Sequence, residues 1–288
     1  MDNKKEVKKI IENYHILVIG AGGTGTYFLK EFNHFLARNK SAWSRIKNIW
    51  IADGDMVEEK NLDRQCYCVE DIGANKALTF SSLLNDALEE YTTSSAFSLK
   101  WKAIPEYITS GQQLQRILNI RSFESYTSYS QTLTLNIPVI IGCVDNNACR
   151  KVCEDFFNAS DYCIYYDAGN DFATGEVSYA HKLHGKKLSY EKSYSFPNMF
   201  DDDMKSVTEL SCEELNHSAP QHMLTNITAA QWLLRGIVNL FNNTSDPLPK
   251  RISGFLGFIW FDAFSGASQF VERSIRTETE RPGIEEAS

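Results

Sequence analysis

Apolar and polar positions follow two periods along this chain. "HILVIG", residues 15–20, is an unbroken aliphatic run of the kind that forms a strand buried on both faces. "AGGTG" interrupts it, and "TYFLKEFNHFLARN" then places apolar residues at helical spacing. "IKNIWIAD" predicts a second strand, "NKALTFSSLLNDALEEY" a helix, and "FSLKWKAIPEYI" a strand with its exit. "IPVIIGCVD" and "NNACRKVCEDFFNAS" repeat the strand-then-helix pattern. "DYCIYYDAGN" and "TGEVSYAHKL" read as two strands joined by a glycine-containing turn. This alternation predicts an α/β fold: a doubly wound, Rossmann-like, mostly parallel sheet with helices on both faces and antiparallel strands toward the C-terminus.

The pattern weakens after Lys182. The polar stretch 182–210, with Gly185, Pro197 and the run Asp201-Asp202-Asp203, reads as a long loop or crossing segment, extending to about residue 224. "SFESYTSYSQT", residues 122–132, reads as a loop insertion. "LTNITAAQWLLRGIVNLF" is an amphipathic helix with Thr225 or Asn226 as its cap, and "GFLGFIWFDAFSG" predicts final strands or a hairpin. Residues 1–276 read as a single domain and 277–288 as a disordered tail.

Composition narrows the picture. A chain of 288 residues with 43% hydrophobic and 23% charged residues is an ordinary globular sequence. The formal net charge of -8 argues against nucleic acid as a partner. No run approaches the roughly 20 apolar residues of a membrane span, and the start has no signal-peptide core. A cytoplasmic protein with no membrane partner is the simplest expectation. The 7 cysteines (Cys66, Cys68, Cys143, Cys149, Cys153, Cys163 and Cys212) are odd in number and include no C-x-x-C pair, which points to reduced thiols.

The candidate chemistry begins at Gly20-x-Gly22-x-x-Gly25, between a predicted strand and a predicted helix. Gly20 suits a tight turn, Gly22 lets backbone approach a phosphate, and Gly25 lets helix pack on sheet, with Gly23 in the same loop. The helix start then offers free N–H groups to an anion. Such a loop binds nucleotides, with NAD as the default. Asp53 ends the second strand, where a ribose-binding carboxylate belongs.

The next segment departs from a dinucleotide site. "IADGDMVEEKNLDRQ" places Asp55, Asn61, Arg64 and Gln65 after Asp53, and "DIGANK" adds Lys76. Arg64 and Lys76 are cations suited to a triphosphate that must release pyrophosphate. "CVDNNACR" places Asp145 at the carboxyl end of a buried strand, where a carboxylate can hold Mg²⁺.

Taken in order, "GAGGTG", "DGDMVEEKNLDRQ", "DIGANK" and "CVDNNACR" resemble the ThiF/MoeB and ubiquitin-activating enzyme superfamily. "YYDAGN" and "ELSCEELNHSAPQHMLTNITAAQWLL" look most like the ThiF-type proteins of bacterial plasmid-associated PRTRC systems. The resemblance implies an ATP-dependent adenylation of the C-terminal carboxylate of a small ubiquitin-like or sulfur-carrier protein. It implies that Asp53 binds the ATP ribose, that Asn61, Arg64 and Lys76 contact phosphates with Gln65 nearby, and that Asp145 binds Mg²⁺. It also implies a homodimer and, in some members, a conjugating enzyme as a further partner.

Many members then capture the acyl group on a cysteine, and Cys212 is the candidate, because it precedes Pro220 and the long helix. A helix-flanking cysteine without chemistry is the equal alternative. Cys66 and Cys68 read as local packing, and His181 and His184 as a weak metal pair. Phe258, Trp260 and Phe261 read as core. One feature departs from the family. Its members often begin with a helix whose arginine completes the neighbouring subunit's ATP site, whereas this start carries lysines and no arginine. Either a lysine substitutes, or the site is completed differently, or adenylation is impaired. Two rival readings remain: a non-catalytic nucleotide-binding docking module, and an NAD-dependent oxidoreductase, which Arg64, Lys76 and Asp145 disfavour.

Overall fold

The computed structural model describes residues 7–91, 99–201, 221–242 and 244–272. Its first half runs β1 (Lys9–Ile19), α1 (Gly23–Arg38), α2 (Lys40–Arg45), β2 (Ile46–Ala52), α3 (Lys76–Tyr91), β3 (Lys102–Ile104) and α4 (Gly111–Leu118). Then come β4 (Glu124–Thr127), β5 (Thr132–Gly142), α5 (Asn147–Ala159), β6 (Cys163–Asn170), β7 (Thr174–Leu183) and β8 (Lys186–Ser189). The chain ends with α6 (Lys192–Ser195), α7 (Met223–Asn239), α8 (Leu248–Ile252), β9 (Gly257–Asp262) and β10 (Ser268–Glu272). Among the described residues no helix is long and apolar enough to cross a membrane.

These strands form one sheet in the order β10-β9-β7-β6-β5-β1-β2-β3, with β4 added to β5 and β8 to β7. The run β3-β2-β1-β5-β6 is parallel. From β6 onward β7, β9 and β10 pair antiparallel. The expected doubly wound sheet with antiparallel strands at its C-terminal end is therefore present. Strand order reverses at β1, which has β2 on one side and β5 on the other. The carboxyl ends of these strands thus flank a topological switch point, where open α/β sheets bind ligands.

Alternation along each strand feeds two cores. Tyr14, Ile16 and Val18 of β1 pack with Phe28 and Phe32 of α1, Phe80 and Leu84 of α3, and Leu233 and Ile237 of α7. Leu17 and Ile19 point the other way, toward Leu114 and Leu118 of α4 and Phe156 and Phe157 of α5. This two-sided burial is why "HILVIG" carries no polar residue after His15. Each fully buried side chain of this kind stabilises the fold by roughly 1.5–3 kcal/mol.

Several local expectations are revised. The first strand begins at Lys9, well before His15. "SFESYTSYSQT" is not a simple loop, because β4 pairs antiparallel with β5 and forms a hairpin. The polar stretch after Lys182 holds β8, α6 and a 3-10 turn at Pro197–Phe200 before the described residues stop. Gly169 and Gly175 lie within β6 and β7, not in the turn between them. On β9, Phe261 is core, but Trp260 faces outward with 42% of its surface exposed.

A buried charge network joins α5, α6, β6 and β7. Asp167, fully buried, accepts from Arg150 Nε at 3.0 Å, Tyr165 hydroxyl at 3.1 Å and Lys192 Nζ at 3.3 Å. Lys192 Nζ also lies 2.5 Å from Glu176 Oε1. Removing one member of such a set strands its partner's charge, which costs about 3–5 kcal/mol. Beside it, the Ser193 amide donates to Glu154 Oε1 at 3.0 Å and the Ser193 hydroxyl donates to Glu154 Oε2. The polar stretch thus starts firmly anchored.

Glu154 makes the anchor sensitive to pH. Burial pushes its carboxyl up, against the two bonds from Ser193, to about 7, with Glu191 and Asp167 adding to the rise. The unfolded carboxyl ionises near 4.5. Between those values the folded form keeps a proton that the unfolded form has lost. Stability from this group is therefore lost as pH rises from about 4.5 to 7, by roughly 3 kcal/mol in total. Glu154→Gln keeps the shape and removes the titration. The variant should match the wild type near pH 5 and exceed it by up to roughly 3 kcal/mol at pH 8, in urea denaturation at both values. Equal stability differences at both pH values would refute this.

Candidate functional site

The carboxyl ends of β1, β2 and β5 carry most of the residues singled out by sequence. Gly20 has φ 94, and a Cβ there would lie 2.5 Å from the Cys143 carbonyl oxygen, so β5 closes against the turn. A Cβ on Gly25 would collide with the Gly20 carbonyl, and one on Gly23 with the Asn226 carboxamide. Gly22 differs. Its φ is -86, and the nearest atom to an added Cβ is Gln65 Nε2 at 4.0 Å. Packing dictates glycine at 20, 23 and 25, whereas at 22 it leaves room for a Cβ. What Gly22 leaves open is room for a group to approach the backbone. Gly22 is also the N-cap of α1, and no side chain caps that helix. The first-turn amides are left facing any anion that arrives.

Asp53 fastens β2 to this loop. Its carboxylate accepts the Ala21 amide at 2.6 Å and the Asp55 amide at 2.8 Å. Burial raises its pKa above the ordinary value, Lys76 pulls against this, and Asp55 adds to the rise. Asp55 is held by Lys76 Nζ at 2.9 Å and by the Tyr107 hydroxyl at 2.5 Å. Burial works to raise it, but Lys76 and Tyr107 outweigh burial and hold it below the usual carboxylate range. Lys76 is therefore committed to a carboxylate and is not a free cation.

Asn75 braces the same corner, donating to the Asp53 and Asp55 carbonyls at 3.0 Å each. Neither Asn75 nor Tyr107 was singled out from sequence. The signal lay in Gly54, which a side chain could not replace because the Tyr107 ring lies on it.

A 3-10 turn at Glu59–Asn61 leads into Arg64 and Gln65. The Asn61 side-chain oxygen accepts the Glu58 amide at 2.9 Å, which leaves its NH₂ group for other partners. The Asn61 carbonyl accepts the Arg64 and Gln65 amides. Arg64 is half-buried and forms no ion pair among the described residues. Four buried side-chain polar atoms among the described residues lack a partner, and two of them, Gln65 Oε1 and Asn226 Nδ2, flank the glycine loop.

Asp145 lies exposed between β5 and α5. Its turn is braced by Arg150 Nη2, which donates to the Val144 carbonyl at 2.5 Å, and by Asn146, which caps α5 through the Cys149 amide at 2.9 Å. An exposed carboxylate beside an anion cradle fits Mg²⁺, which is held by one or two carboxylates plus phosphates.

Other expected residues are not brought together. Cys212, His217 and Pro220 lie outside the described residues. His181 is buried with its ring nitrogens on Tyr166 and Ser189, whereas His184 sits in a surface turn against Tyr162 and Glu124. They form no metal pair, and no group of three or more metal-ligating side chains occurs among the described residues. Thr225 and Asn226 do not cap α7, since His222 does. Cys68 is exposed, not packed, and its bond to Asp71 raises its thiol. Burial pushes the thiols of Cys66, Cys143 and Cys163 up, away from the reactive thiolate.

The chain belongs to the ThiF family, whose profile matches residues 2–255. Among solved structures it resembles E. coli MccB bound to ATP, with a TM-score of 0.58 and 15% identity over 92% of this chain and 65% of that one. It also resembles PaaA, with a TM-score of 0.56 and 15% identity over 91% and 64%. A third is the microcin C7 biosynthetic enzyme MccB in complex with N-formylated MccA, with a TM-score of 0.57 and 17% identity over 91% and 65%. At such identities the likeness is one of fold. The chain spans just under two thirds of the length of each of these proteins. No curated protein matches it in sequence.

The unequal glycines make a paired test. Gly22→Ala meets no neighbour at Cβ, so its cost in stability should be confined to holding alanine at ψ -147, about 1–3 kcal/mol. It should weaken Mg-ATP binding at least tenfold by titration calorimetry. Gly25→Ala should lose roughly 1–3 kcal/mol or more in thermal unfolding through its clash with Gly20. Undiminished ATP binding by Gly22→Ala would count against the site.

Proposed function

We propose that this protein binds Mg-ATP at the β1–β2–β5 edge and adenylates the C-terminal carboxylate of a small protein or peptide. The observation that carries the reading is the open backbone at Gly22 on the uncapped α1 N-terminus, with Arg64, which forms no ion pair among the described residues, on the segment after β2. An NAD site would use the loop and Asp53 and would leave Arg64 and the exposed Asp145 idle. Membership of the ThiF family and the fold shared with MccB, a structure of which contains ATP, support the same choice.

In this reading Asp53 takes the ribose hydroxyls and the α1 amides take phosphate oxygens. Arg64 and the Asn61 NH₂ group contact the phosphates, while Gln65 lines the loop. Lys76 reaches the phosphates by exchanging Asp55 for a more anionic partner. Asp145 would hold Mg²⁺, which neutralises charge on the departing pyrophosphate. The substrate carboxylate oxygen attacks the α-phosphorus, and the bond from that phosphorus to the bridging oxygen breaks. An acyl-adenylate and pyrophosphate result.

The finer reading has a small ubiquitin-like or sulfur-carrier protein as substrate. Residues 1–276 act as a single adenylation domain in a homodimer, of the type found with PRTRC systems. The Cys212 thiolate then displaces AMP to form a thioester, from which a conjugating enzyme can accept the acyl group. The raised thiols of Cys66, Cys143 and Cys163 support looking to Cys212.

Wild type, Arg64→Ala and Cys212→Ala, each incubated with Mg-ATP and host lysate, separate these steps. Arg64→Ala should lose substrate-dependent AMP release by about 100-fold, the range for losing one charge-stabilising donor. Cys212→Ala should keep acyl-adenylate formation and lose the reductant-sensitive adduct on a non-reducing gel. An adduct on both wild type and Cys212→Ala would move the thioester to another cysteine. Full turnover by Arg64→Ala would sink the site assignment.

A further inference from the structure

Asn226 sits at the first turn of α7, yet its carboxamide reaches across to the first turn of α1. Its surface is wholly buried. The Asn226 Oδ1 accepts from Asn170 Nδ2 at 2.7 Å and from the Thr24 hydroxyl at 3.3 Å. The single Thr24 hydroxyl proton is shared with Asn170 Oδ1, at 3.1 Å. The Asn170 donor on that oxygen orients the amide, so its NH₂ group faces the other way, against Gly23. Among the described residues that nitrogen has no hydrogen-bond partner. The carboxamide fills the space that a Cβ on Gly23 would take.

An orphaned buried donor normally costs roughly 1–3 kcal/mol, and native interiors rarely keep one without a use. Here it stands beside an uncapped helix N-terminus whose own amides are unsatisfied. The surrounding framework is built to hold it there. Thr225 donates to the Phe172 carbonyl at 2.6 Å, and Gln221 Nε2 donates to the Asn170 carbonyl at 3.2 Å. Both bonds tie the start of α7 to the β6–β7 turn.

We infer that Asn226 is an anion-binding residue of the nucleotide site: its NH₂ group donates to a phosphate oxygen seated on the α1 N-terminus, and Asn170 and Thr24 position it. This rests on the proposed ATP reading and adds to it a donor from the far end of the chain. It gives Gly23 a reason distinct from that of Gly22. Gly22 leaves room for the phosphate, and Gly23 leaves room for the side chain that greets it.

The test compares wild type, Asn226→Ala and Asn226→Asp by titration calorimetry with Mg-AMPCPP and with adenosine, which has no phosphate. Asn226→Asp keeps the shape and the acceptor for Asn170 and Thr24 but replaces the donor with an acceptor that carries charge. Asn226→Ala should weaken AMPCPP binding roughly 10- to 100-fold, as for a hydrogen bond to a charged group. Asn226→Asp should weaken it further at pH 8, and adenosine affinity should hold within about twofold in both. AMPCPP affinity unchanged in the variants, or an equal loss for adenosine and AMPCPP, overturns the inference while leaving the ATP reading intact. Failure of wild type to bind AMPCPP would overturn the ATP reading itself and this inference with it. Thermal unfolding accompanies each titration. Asn226→Ser, which keeps a small acceptor, carries the same expectation if either variant fails to fold.

Discussion

The Asp53 carboxylate is the constraint on which the site depends. It terminates β2 and accepts the backbone amide of Ala21 in the loop after β1. One carboxylate thereby sets the distance between the strand end that would hold a ribose and the loop that would hold phosphates. Its second oxygen folds the backbone back through Asp55. A serine or asparagine could make one of these bonds, but a carboxylate has acceptor capacity left after making both. Burial makes the ionised form costly there, and Lys76, already engaged with Asp55, supplies the compensating charge. Two carboxylates sharing one buried ammonium leave the corner slightly acidic in the free protein. Arrival of magnesium and a triphosphate would redistribute that charge, with Lys76 the group most able to change partner.

Across the switch point the sheet holds a different set of polar residues. Asp167, Arg150, Lys192 and Glu176 fill the space above the carboxyl end of β6, and a Cβ on Gly142 would meet Asp167 Oδ1 at 2.5 Å. Gly169 is equally crowded, by Glu176 and Lys192. The network therefore dictates small residues on β5 and β6 where they approach the site. Such a charge cluster adds little net stability compared with an apolar one of equal volume. What it provides is a fixed position for α6 and for the β5–α5 turn that carries Asp145.

Much of this was legible in the sequence, for physical reasons that also mark the limit. The parallel strands are buried on both faces, so they read as unbroken apolar runs, and the helices between them read by period. Gly20, Gly22 and Gly25 follow from spacing because a strand-turn-helix with a bound phosphate allows few backbones. What spacing could not show was which glycine answers to the fold and which to a ligand. That depends on Cys143, Gly20 and Gln65 as neighbours in space. Tyr107 lies 52 residues from the Asp55 it holds, and Asn226 lies 202 from Thr24. No local pattern encodes such pairs. Asn226 looked like a helix cap because asparagine favours caps, but a histidine four residues earlier does that work and frees the amide for a tertiary role. The β4 hairpin is not legible in the sequence because its strand, "ESYT", is polar and mostly exposed, and β-propensity is weak evidence on such an edge.

The same contacts bear on the cysteine question. The described residues stop at Asp201 and resume at Gln221, and Cys212 lies outside them. Ahead of Asp201, α6 is held by Lys192 to Asp167 and Glu176 and by Ser193 to Glu154. From Gln221 onward, Gln221, Thr225 and Asn226 bind the Asn170 carbonyl, the Phe172 carbonyl and the Asn170 side-chain amide. Both anchors therefore grip one short piece of sheet, from Asp167 to Glu176, whose end at Asn170 touches the first turn of α1 through Thr24. In the proposed reading, a phosphate on the α1 amides and Asn226 would bear directly on the start of α7. The first turns of α1 and α7 and the end of β6 are thus joined through the side chains of Thr24, Asn226 and Asn170.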